Sequence, residues 1–332
     1  MFDSYYLDKG IALYKSLEKV SDNFSLFTYC FDDRSYEILK GMNFSHMIVH
    51  HHSCFETPEL LGKKRERSKA EYCWTCTPVI IDYTLKNHEI DSCTYIDSDL
   101  YFFDDPQILF DEIHAADADV TIVPHRFKDN AYGKKLEKRN GKYCVQFNYF
   151  RKSENGRKVL EWWRDQCLEW CYDIPEPNRM GDQKYLDQFK ILFKGVYELE
   201  HLGGGVAPWN LEQYAITVLD GKRIRMCDDS GKEFPLIFYH FQNIRYLSGR
   251  KVNIKSQTKD QKLKYTIYIP YMREIEHIRK VLVRDYGVDF SPDRLVRSSN
   301  LIMGFLQRHF AALKIKYLSD VIDLEKLNDY FY

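Results

Sequence analysis

The chain has 332 residues, of which 44% are hydrophobic and 29% are charged. This balance supports a packed core and excludes a disordered chain. Nine cysteines are too few for a disulfide scaffold of this length. No apolar run reaches the roughly 20 residues of a membrane-spanning helix.

The net charge of −1 is unevenly distributed. Residues 246–332 carry 16 Lys and Arg against 10 Asp and Glu, a balance of +6, and the rest carries 32 against 39, a balance of −7. A basic C-terminal region predicts peripheral contact with an anionic membrane leaflet, and a cap that completes the core or a dimer contact is the open alternative. Nucleic acid is not predicted as a partner, because no recognition motif accompanies the charge. The start of the chain lacks a signal-peptide pattern, so we expect a cytoplasmic protein, on the inner face of the membrane where that contact forms.

Hydrophobic spacing predicts alternating helices and strands in the first half of the chain. Helices are predicted over 6–17, over 34–41 and through an aromatic stretch to Lys86, with a new helical segment from Pro78 capped by Thr77. Strands are predicted over 24–30, 47–50, 94–96 and 120–123. The order predicts an α/β fold with a mostly parallel sheet flanked by helices.

The alternation fades after Arg245. Apolar spacing around Ile275 to Val283 and over Leu301 to Leu313 predicts two amphipathic helices. We therefore divide the chain into a catalytic domain, 1–245, and a basic, mainly helical C-terminal appendage, 246–332.

Two acidic residues follow the predicted strand 94–96 directly. Asp97 and Asp99 stand one residue apart between hydrophobic residues, so both carboxylates are expected to be partly buried at a strand end. Buried adjacent carboxylates need a cation, and Mg²⁺ or Mn²⁺ prefers such ligands. His125 and Arg126 end the strand 120–123 and are expected at the same edge.

Further polar residues downstream are candidates for a ligand site. Gly181, Asp182 and Gln183 precede a helical stretch, in which Asp182 is also a candidate N-cap. His240 follows two aromatic residues and becomes a third metal ligand if the fold brings it to the Asp pair. Two cysteine pairs, Cys73 with Cys76 and Cys167 with Cys171, leave zinc binding open beside a simple role in the core.

Taken in order, these motifs resemble a known family. Phe2-Asp3-Ser4, Tyr95-Ile96-Asp97-Ser98-Asp99, Phe147-Asn148, Gly181-Asp182-Gln183, Trp209-Asn210 and His240 resemble the glycogenin and lipopolysaccharide galactosyltransferase family of GT-A glycosyltransferases. Residues 71–78, His125-Arg126 and the loop 203–210 are similar to a bacterial group of surface-polysaccharide glycosyltransferases.

The resemblance implies a UDP-sugar donor, Mn²⁺ or Mg²⁺, and transfer of a hexose to a glycan or lipid-linked acceptor in surface polysaccharide synthesis. It implies that Asp3 and Tyr6 contact the nucleotide and that Asp97, Asp99 and His240 bind the metal. It also implies that Asn148, Asp182 and Gln183 lie around the donor sugar and the reacting carbon. Lys69, or another basic residue of 63–69, would contact the diphosphate. The Asp182-Gln183 pair resembles the arrangement of retaining enzymes.

The sequence departs from the family pattern at three places. Trp74 stands where the family has an arginine before the proline matched by Pro78. The residues after His240 differ from the family's Gly and Lys-Pro-Trp, and Arg245 is the candidate replacement for that lysine. Almost nothing precedes Asp3, so the first strand is expected to be very short.

Three other functions share part of this pattern. A haloacid-dehalogenase-type phosphatase also places Asp-x-Asp after a strand, but expects Thr or Val where Tyr101 stands. A nucleotidylyltransferase needs a basic, glycine-rich loop that residues 3–16 do not contain. A catalytically silent binding or assembly protein on the same fold is the third alternative.

Overall fold

A computed structural model describes residues 1–220, 223–247, 250–290 and 320–329. The helices in these ranges are α1 Leu7–Glu18, α2 Asp33–Met42, α3 Pro58–Glu66, α4 Lys69–Asn87, α5 Gln107–Ala115, α6 Ala131–Asn140, α7 Glu154–Glu169, α8 Phe189–Leu192 and α9 Gln261–Tyr286. The strands are β1 Leu26–Cys30, β2 Met47–His51, β3 Ser92–Ile96, β4 Leu100–Phe102, β5 Val120–Pro124, β6 Tyr143–Arg151, β7 Val196–Glu198, β8 Gly204–Val206, β9 Tyr214–Asp220, β10 Arg223–Asp228, β11 Glu233–Pro235, β12 Phe238–His240, β13 Arg245–Leu247, β14 Lys251–Asn253 and β15 Val321–Asp323.

The prediction of an α/β fold is confirmed, but the prediction of a mostly parallel sheet is wrong. The four-stranded sheet has the order β3-β6-β5-β7, and β6 runs antiparallel to both β3 and β5. The parallel pairs are β1 with β2, β5 with β7 and β8 with β12. The orientation of β6 depends on pairing with distant strands, so its own sequence does not reveal it.

Strands β3 and β5 nevertheless point the same way, because each is antiparallel to β6. Their carboxyl ends therefore lie at one edge of the sheet. Asp97 follows β3 and His125 follows β5 at this edge. The expected grouping of these residues is retained although the strand between them is reversed.

The chain start joins the sheet of β1 and β2 through a single residue. Phe2 forms a parallel bridge with Cys30, and its backbone N–H donates to the carbonyl of Tyr29. Asp3 then opens a 3₁₀ helix over Ser4–Tyr6 that leads into α1. The expected very short first strand is thus one bridge residue.

Helix α4 runs without a break through Pro78, so the predicted helix start at that residue is wrong. Its true start is a capping box, in which Ser68 and Glu71 bond to each other's backbone N–H groups. Thr77 lies inside this helix and does not cap one, and its side chain acts to lower the pKa of Asp182. Pro78 is buried, and α4 as a whole packs on α7, so tertiary packing offsets the lost hydrogen bond.

The C-terminal region contains strands as well as a helix. Strands β13, β14 and β15 form a small antiparallel sheet, and the 26-residue α9 packs on α1. Buried side chains of α9, such as Ile267 and Tyr271, share one hydrophobic cluster with Leu7 and Tyr14 of α1. The helix predicted over 301–313 lies outside the described residues. Among the described helices none is both long enough and apolar enough to span a membrane.

The cysteines are reduced throughout the described chain. Cys76, Cys167 and Cys171 are fully buried in the hydrophobic cluster between α4 and α7, and Cys73 is half-buried. Groups of metal-ligating side chains in the described ranges do not include any of them. Their surroundings are those of small core residues.

Candidate metal and donor site

The Asp97-Ser98-Asp99 segment forms the turn between β3 and β4. The Asp97 backbone N–H donates to the Gln146 carbonyl at 3.1 Å, and the Leu100 N–H donates back to the Asp97 carbonyl at 3.2 Å. The first bond fixes the turn to β6, and the second closes it. Two carboxylates that stand one residue apart are thereby held at the sheet edge.

His240 reaches this turn from a distant part of the chain. It ends β12, which pairs with β4 so that His240 lies opposite Leu100. Its Nε2 atom lies 3.0 Å from Asp99 Oδ1 and 3.7 Å from Asp97 Oδ2. Ligand atoms of the three side chains all lie within 4.8 Å of one another. The fold therefore brings together the three residues predicted as metal ligands.

Neighbouring side chains orient these groups. The Tyr95 hydroxyl donates to Asp97 Oδ1 at 2.8 Å. Gln146 Oε1 lies 2.9 Å from His240 Nδ1 and accepts from its N–H, so the ring is fixed with Nε2 toward the carboxylates, where its N–H donates to Asp99. The Trp209 ring packs edge-on against the imidazole, with 5.3 Å between ring centroids. An imidazole held from two sides is preorganised to bind a cation.

Burial and mutual interaction shift the pKa values of the cluster in different directions. Burial raises the pKa of Asp97 to about 6, even though His240 acts to lower it. Burial also acts to raise the pKa of Asp99, but the charge and hydrogen bond of His240 outweigh it and lower that pKa. The pKa of His240 is raised, since Asp99 outweighs the opposing effect of burial. The positive charge of His240 thus stabilises the ionised form of both carboxylates, and it outweighs burial only at Asp99.

Asp182 is a third carboxyl group in the same neighbourhood. Its side chain is only 4% exposed, and burial followed by the charge of Asp97 raises its pKa to about 8. It occupies the N-cap position of the 3₁₀ helix Gln183–Gln188, but its side chain makes no capping hydrogen bond. The predicted capping role is therefore wrong. Gln183 Nε2 donates to the Asn140 carbonyl at 3.0 Å.

Asn148 lies on β6 two residues beyond Gln146, so both side chains project from the same face of the strand. Asn148 is 1% exposed, and neither atom of its side-chain amide has a hydrogen-bond partner among the described residues. Gln146 Nε2 is likewise buried without one. Buried polar atoms are nearly always paired. This face of β6 therefore presents three polar atoms that a polar ligand can satisfy.

The predicted nucleotide residues lie around the 3₁₀ helix that begins the chain. Asp3 Oδ1 accepts from the Tyr5 N–H at 3.0 Å, and the exposed Lys69 ammonium lies 3.8 Å from Asp3 Oδ2. Lys9 acts to lower the pKa of Tyr6, but burial and the charge of Asp99 outweigh it and raise that pKa. Tyr6 is thus within electrostatic reach of the acidic cluster.

His125 and Arg126 support backbone segments beside the site. Burial lowers the pKa of His125 to about 4, so its ring is neutral, and its carbonyl accepts from Trp209 Nε1 at 2.8 Å. Arg126 adopts φ of +52° and donates from Nη2 to the Leu199 carbonyl at 2.7 Å. Gly205 lies against this guanidinium, where an added Cβ would stand 2.5 Å from Nη1.

Arg245 begins β13 and pairs with Asn253 of β14. Its charge adds to burial in lowering the pKa of Lys255. Two cations therefore lie close together on this side of the molecule, a suitable environment for an anion.

Three residues that contribute to the site were not identified from the sequence as contributors: Tyr95, Gln146 and Thr77. Tyr95 and Gln146 each orient a predicted residue through one side-chain hydrogen bond, and Thr77 acts to lower the pKa of Asp182. A signal existed for Gln146, because it and Asn148 are polar residues at alternate positions of an otherwise apolar strand. Thr77 left none, since its contact with Asp182 depends on how α4 packs.

Comparison with known proteins places the chain among bacterial relatives. No protein-family model matches it. Uncharacterized protein YfnF of Bacillus subtilis (strain 168) is 31% identical over 278 residues, which cover 82% of this chain and 89% of that protein. Uncharacterized protein YfnD of the same strain is 29% identical over 306 residues, covering 90% and 95%. The chain belongs to the protein family of YfnF.

Solved glycosyltransferase structures overlap with parts of the chain. Mouse xyloside xylosyltransferase 1 in its apo form covers 61% of this chain and 82% of its own, with 12% identity and a TM-score of 0.39. The glycosyltransferase GlyE of Streptococcus pneumoniae TIGR4 covers 60% and 44%, with 14% identity and a TM-score of 0.39. An active-site mutant of LgtC covers 73% and 86%, with 14% identity and a TM-score of 0.40. Overlaps at these TM-scores carry no conclusion about activity.

Proposed function

We propose that this protein is a metal-dependent glycosyltransferase that moves a hexose-type sugar from a UDP-sugar to a glycan or lipid-linked acceptor. The observation that carries the proposal is the convergence of Asp97, Asp99 and His240 within 4.8 Å at a sheet edge. Two carboxylates and one imidazole form a donor set that suits Mn²⁺, and Mg²⁺ through the oxygen ligands. A cation bound there neutralises charge that develops on a departing diphosphate.

The chain's own residues supply the orientation that this chemistry needs. Tyr95 holds one Asp97 oxygen, which directs the other toward the cluster. Gln146 fixes the His240 ring through Nδ1. Preorganised groups of this kind stabilise developing charge without having to rearrange during the reaction.

Buried polar groups without partners support a sugar as the ligand beside the metal. The Asn148 amide offers one donor group and one acceptor inside the protein. Sugar hydroxyls both donate and accept, so one hydroxyl pair satisfies the amide. The resemblance noted from the sequence places Asn148, Asp182 and Gln183 around the donor sugar, Asp3 and Tyr6 at the nucleotide, and Lys69 and Arg245 at the diphosphate.

We expect transfer with retention of configuration, because the Asp182-Gln183 pair resembles the arrangement of retaining enzymes, and the buried surroundings of Asp182 support this. An inverting enzyme needs an ionised carboxylate base beside the acceptor hydroxyl. Burial and Asp97 raise the pKa of Asp182 to about 8, so its carboxyl group is mainly protonated at neutral pH. A protonated carboxyl group orients a sugar but does not accept its proton. We therefore expect an α-linked product from a UDP-α-sugar, which the anomeric coupling in early proton NMR spectra distinguishes from a β-linked one.

The acceptor side of the proposal includes peripheral membrane contact through residues 246–332. On the described part of this region, Lys280, Val283 and Arg284 are exposed together near the end of α9. Basic residues beside an exposed apolar side chain favour an anionic leaflet, and each contributes about 1 kcal/mol there. A lipid-linked acceptor in surface polysaccharide synthesis fits such a location.

The test is a thermal-shift screen of nucleotide sugars with and without Mn²⁺, followed by measurement of UDP release. A donor that binds the folded state raises the melting temperature. Asp97→Asn and Asp99→Asn should each abolish the Mn²⁺-dependent shift and UDP release, whereas Asp229→Asn in an exposed turn should change neither. Wild-type transfer by either site variant would contradict the assignment of the metal site.

A further inference from the structure

A second group of metal-ligating side chains lies at the end of a different sheet. Strands β1 and β2 are parallel, with Cys30 opposite His51, so both end at the same edge. Asp33 begins α2 immediately after β1, while His51 and His52 end β2 and begin the next turn. This cluster shares no residue with the Asp97 site.

The two imidazoles converge on one carboxylate oxygen. Asp33 Oδ1 lies 2.7 Å from His51 Nε2 and 3.4 Å from His52 Nε2. The ring centroids are 4.0 Å apart. Two imidazoles and one carboxylate, each presenting a ligand atom to the same small space, are the donor set of many zinc sites with three protein ligands.

The opposite nitrogen of each ring is held by a second polar group. His51 Nδ1 lies 2.8 Å from Ser53 Oγ, and His52 Nδ1 lies 2.8 Å from Glu56 Oε2. The Glu56 side chain is 4% exposed, and its other oxygen accepts from Lys64 at 2.7 Å. The Glu56 contact is of the kind that orients a metal-binding histidine. His51 Nδ1 also accepts from the Ser53 N–H at 3.3 Å, so its Nε2 proton has to leave when a metal binds there.

We propose that Asp33, His51 and His52 bind a divalent transition-metal ion, best matched by Zn²⁺, with a position left for water. A simple surface ion pair is the competing explanation, because the Asp33 side chain is 85% exposed. An ion pair accounts for one His–Asp contact. It does not account for a second ring, His52, that directs Nε2 at the same oxygen while its Nδ1 is held by the buried Glu56.

The two sites differ in ligand chemistry, which allows them to be separated. Asp97 and Asp99 provide mainly oxygen ligands for a hard ion, whereas the second cluster is dominated by imidazole nitrogen. The Asp97→Asn/Asp99→Asn double variant therefore serves as the background for the experiment. Zn²⁺ uptake is measured by equilibrium dialysis and metal analysis, and Co²⁺ is used as a spectroscopic probe of the ligand geometry.

In that background one equivalent of Zn²⁺ is expected per chain, with a Co²⁺ absorption spectrum of low-coordinate nitrogen and oxygen ligation. His51→Gln and His52→Gln should each weaken binding by at least ten-fold, and His277→Gln on the exposed face of α9 should leave it unchanged. Glu56→Gln should weaken binding by about ten-fold through loss of ring orientation.

Several results overturn the proposal. One is the absence of Zn²⁺ uptake by the double variant that keeps both histidines. Another is unchanged affinity after His51→Gln or His52→Gln in folded protein, as judged by circular dichroism. A six-coordinate, water-like Co²⁺ spectrum would also overturn it, and that measurement needs no substitution of the histidines.

Discussion

The strongest stability consequence of the site concerns Asp182. Its carboxyl group is 4% exposed, and its pKa rises from 3.8 to about 8, first through burial and then through the charge of Asp97. An unfolded Asp182 loses its proton near pH 4, but the folded one keeps it until near pH 8. Between these values the folded state binds more protons than the unfolded state, so the free energy of unfolding falls as pH rises.

The magnitude follows from the two pKa values. Each pKa unit between the states corresponds to about 1.4 kcal/mol, so ionised Asp182 destabilises the fold by on the order of 5 kcal/mol above pH 8. Stabilities of whole domains are about 5–15 kcal/mol. Asp182→Asn should therefore be more stable than the wild type at pH 8.5, and the difference should vanish near pH 4. Asp97, whose pKa is raised to about 6, adds a smaller slope of the same sign.

Urea unfolding in EDTA at pH 4, 6, 7 and 8.5 measures this difference directly. The Asp229→Asn variant in an exposed turn controls for the loss of one negative charge. Parallel stability curves for wild type and Asp182→Asn across this pH range would refute the reasoning. The same substitution should lower UDP release, because Asp182 is proposed to orient the donor sugar at the reacting carbon.

Three further predictions follow from particular contacts. Asn148→Leu removes two buried polar atoms without partners, so it should raise the free energy of unfolding by about 1–3 kcal/mol in urea titrations while abolishing the sugar-dependent thermal shift. Arg67→Met should lower the free energy of unfolding by about 3 kcal/mol, because buried Arg67 bonds Thr75 and the carbonyl of Cys167; an unchanged urea midpoint would contradict this. Liposome flotation should show salt-sensitive binding to anionic vesicles that Lys280→Glu weakens, and no binding at low salt would remove the membrane proposal.

The sequence revealed local features of the fold well and pairing between distant segments poorly. The strand before Asp97 and the turn after it were predictable, because a short apolar run ends abruptly in acidic residues. The nine-residue β6 was not, since eight of its positions are buried and it lacks the alternation that marks a strand. The antiparallel orientation of β6 depends on hydrogen bonds to residues about 50 positions before it and 30 positions before it, which no local pattern encodes.

The candidate site shows the same division. Asp97 and Asp99 were found from spacing alone, whereas His240 joins them only because β12 pairs with β4 across the fold. The role of Gln146 cannot be predicted from local sequence, because it depends on two distant contacts. Its carbonyl accepts from the Asp97 N–H, and its side-chain oxygen accepts from the His240 ring. Residue types thus predict part of the chemistry of a site, but which residues come together in it depends on pairing between distant strands.

The strongest argument for a ligand is that the fold buries carboxyl groups and an amide without compensating their burial. Asp97 and Asp182 are carboxyl groups whose pKa values are raised because burial disfavours their charge. Asn148 beside them has no hydrogen-bond partner among the described residues. Each feature costs stability on its own, and apolar residues of similar volume would avoid that cost. A divalent cation would stabilise the carboxylate charge and a sugar would satisfy the amide, so the proposed metal-bound nucleotide sugar would relieve both costs.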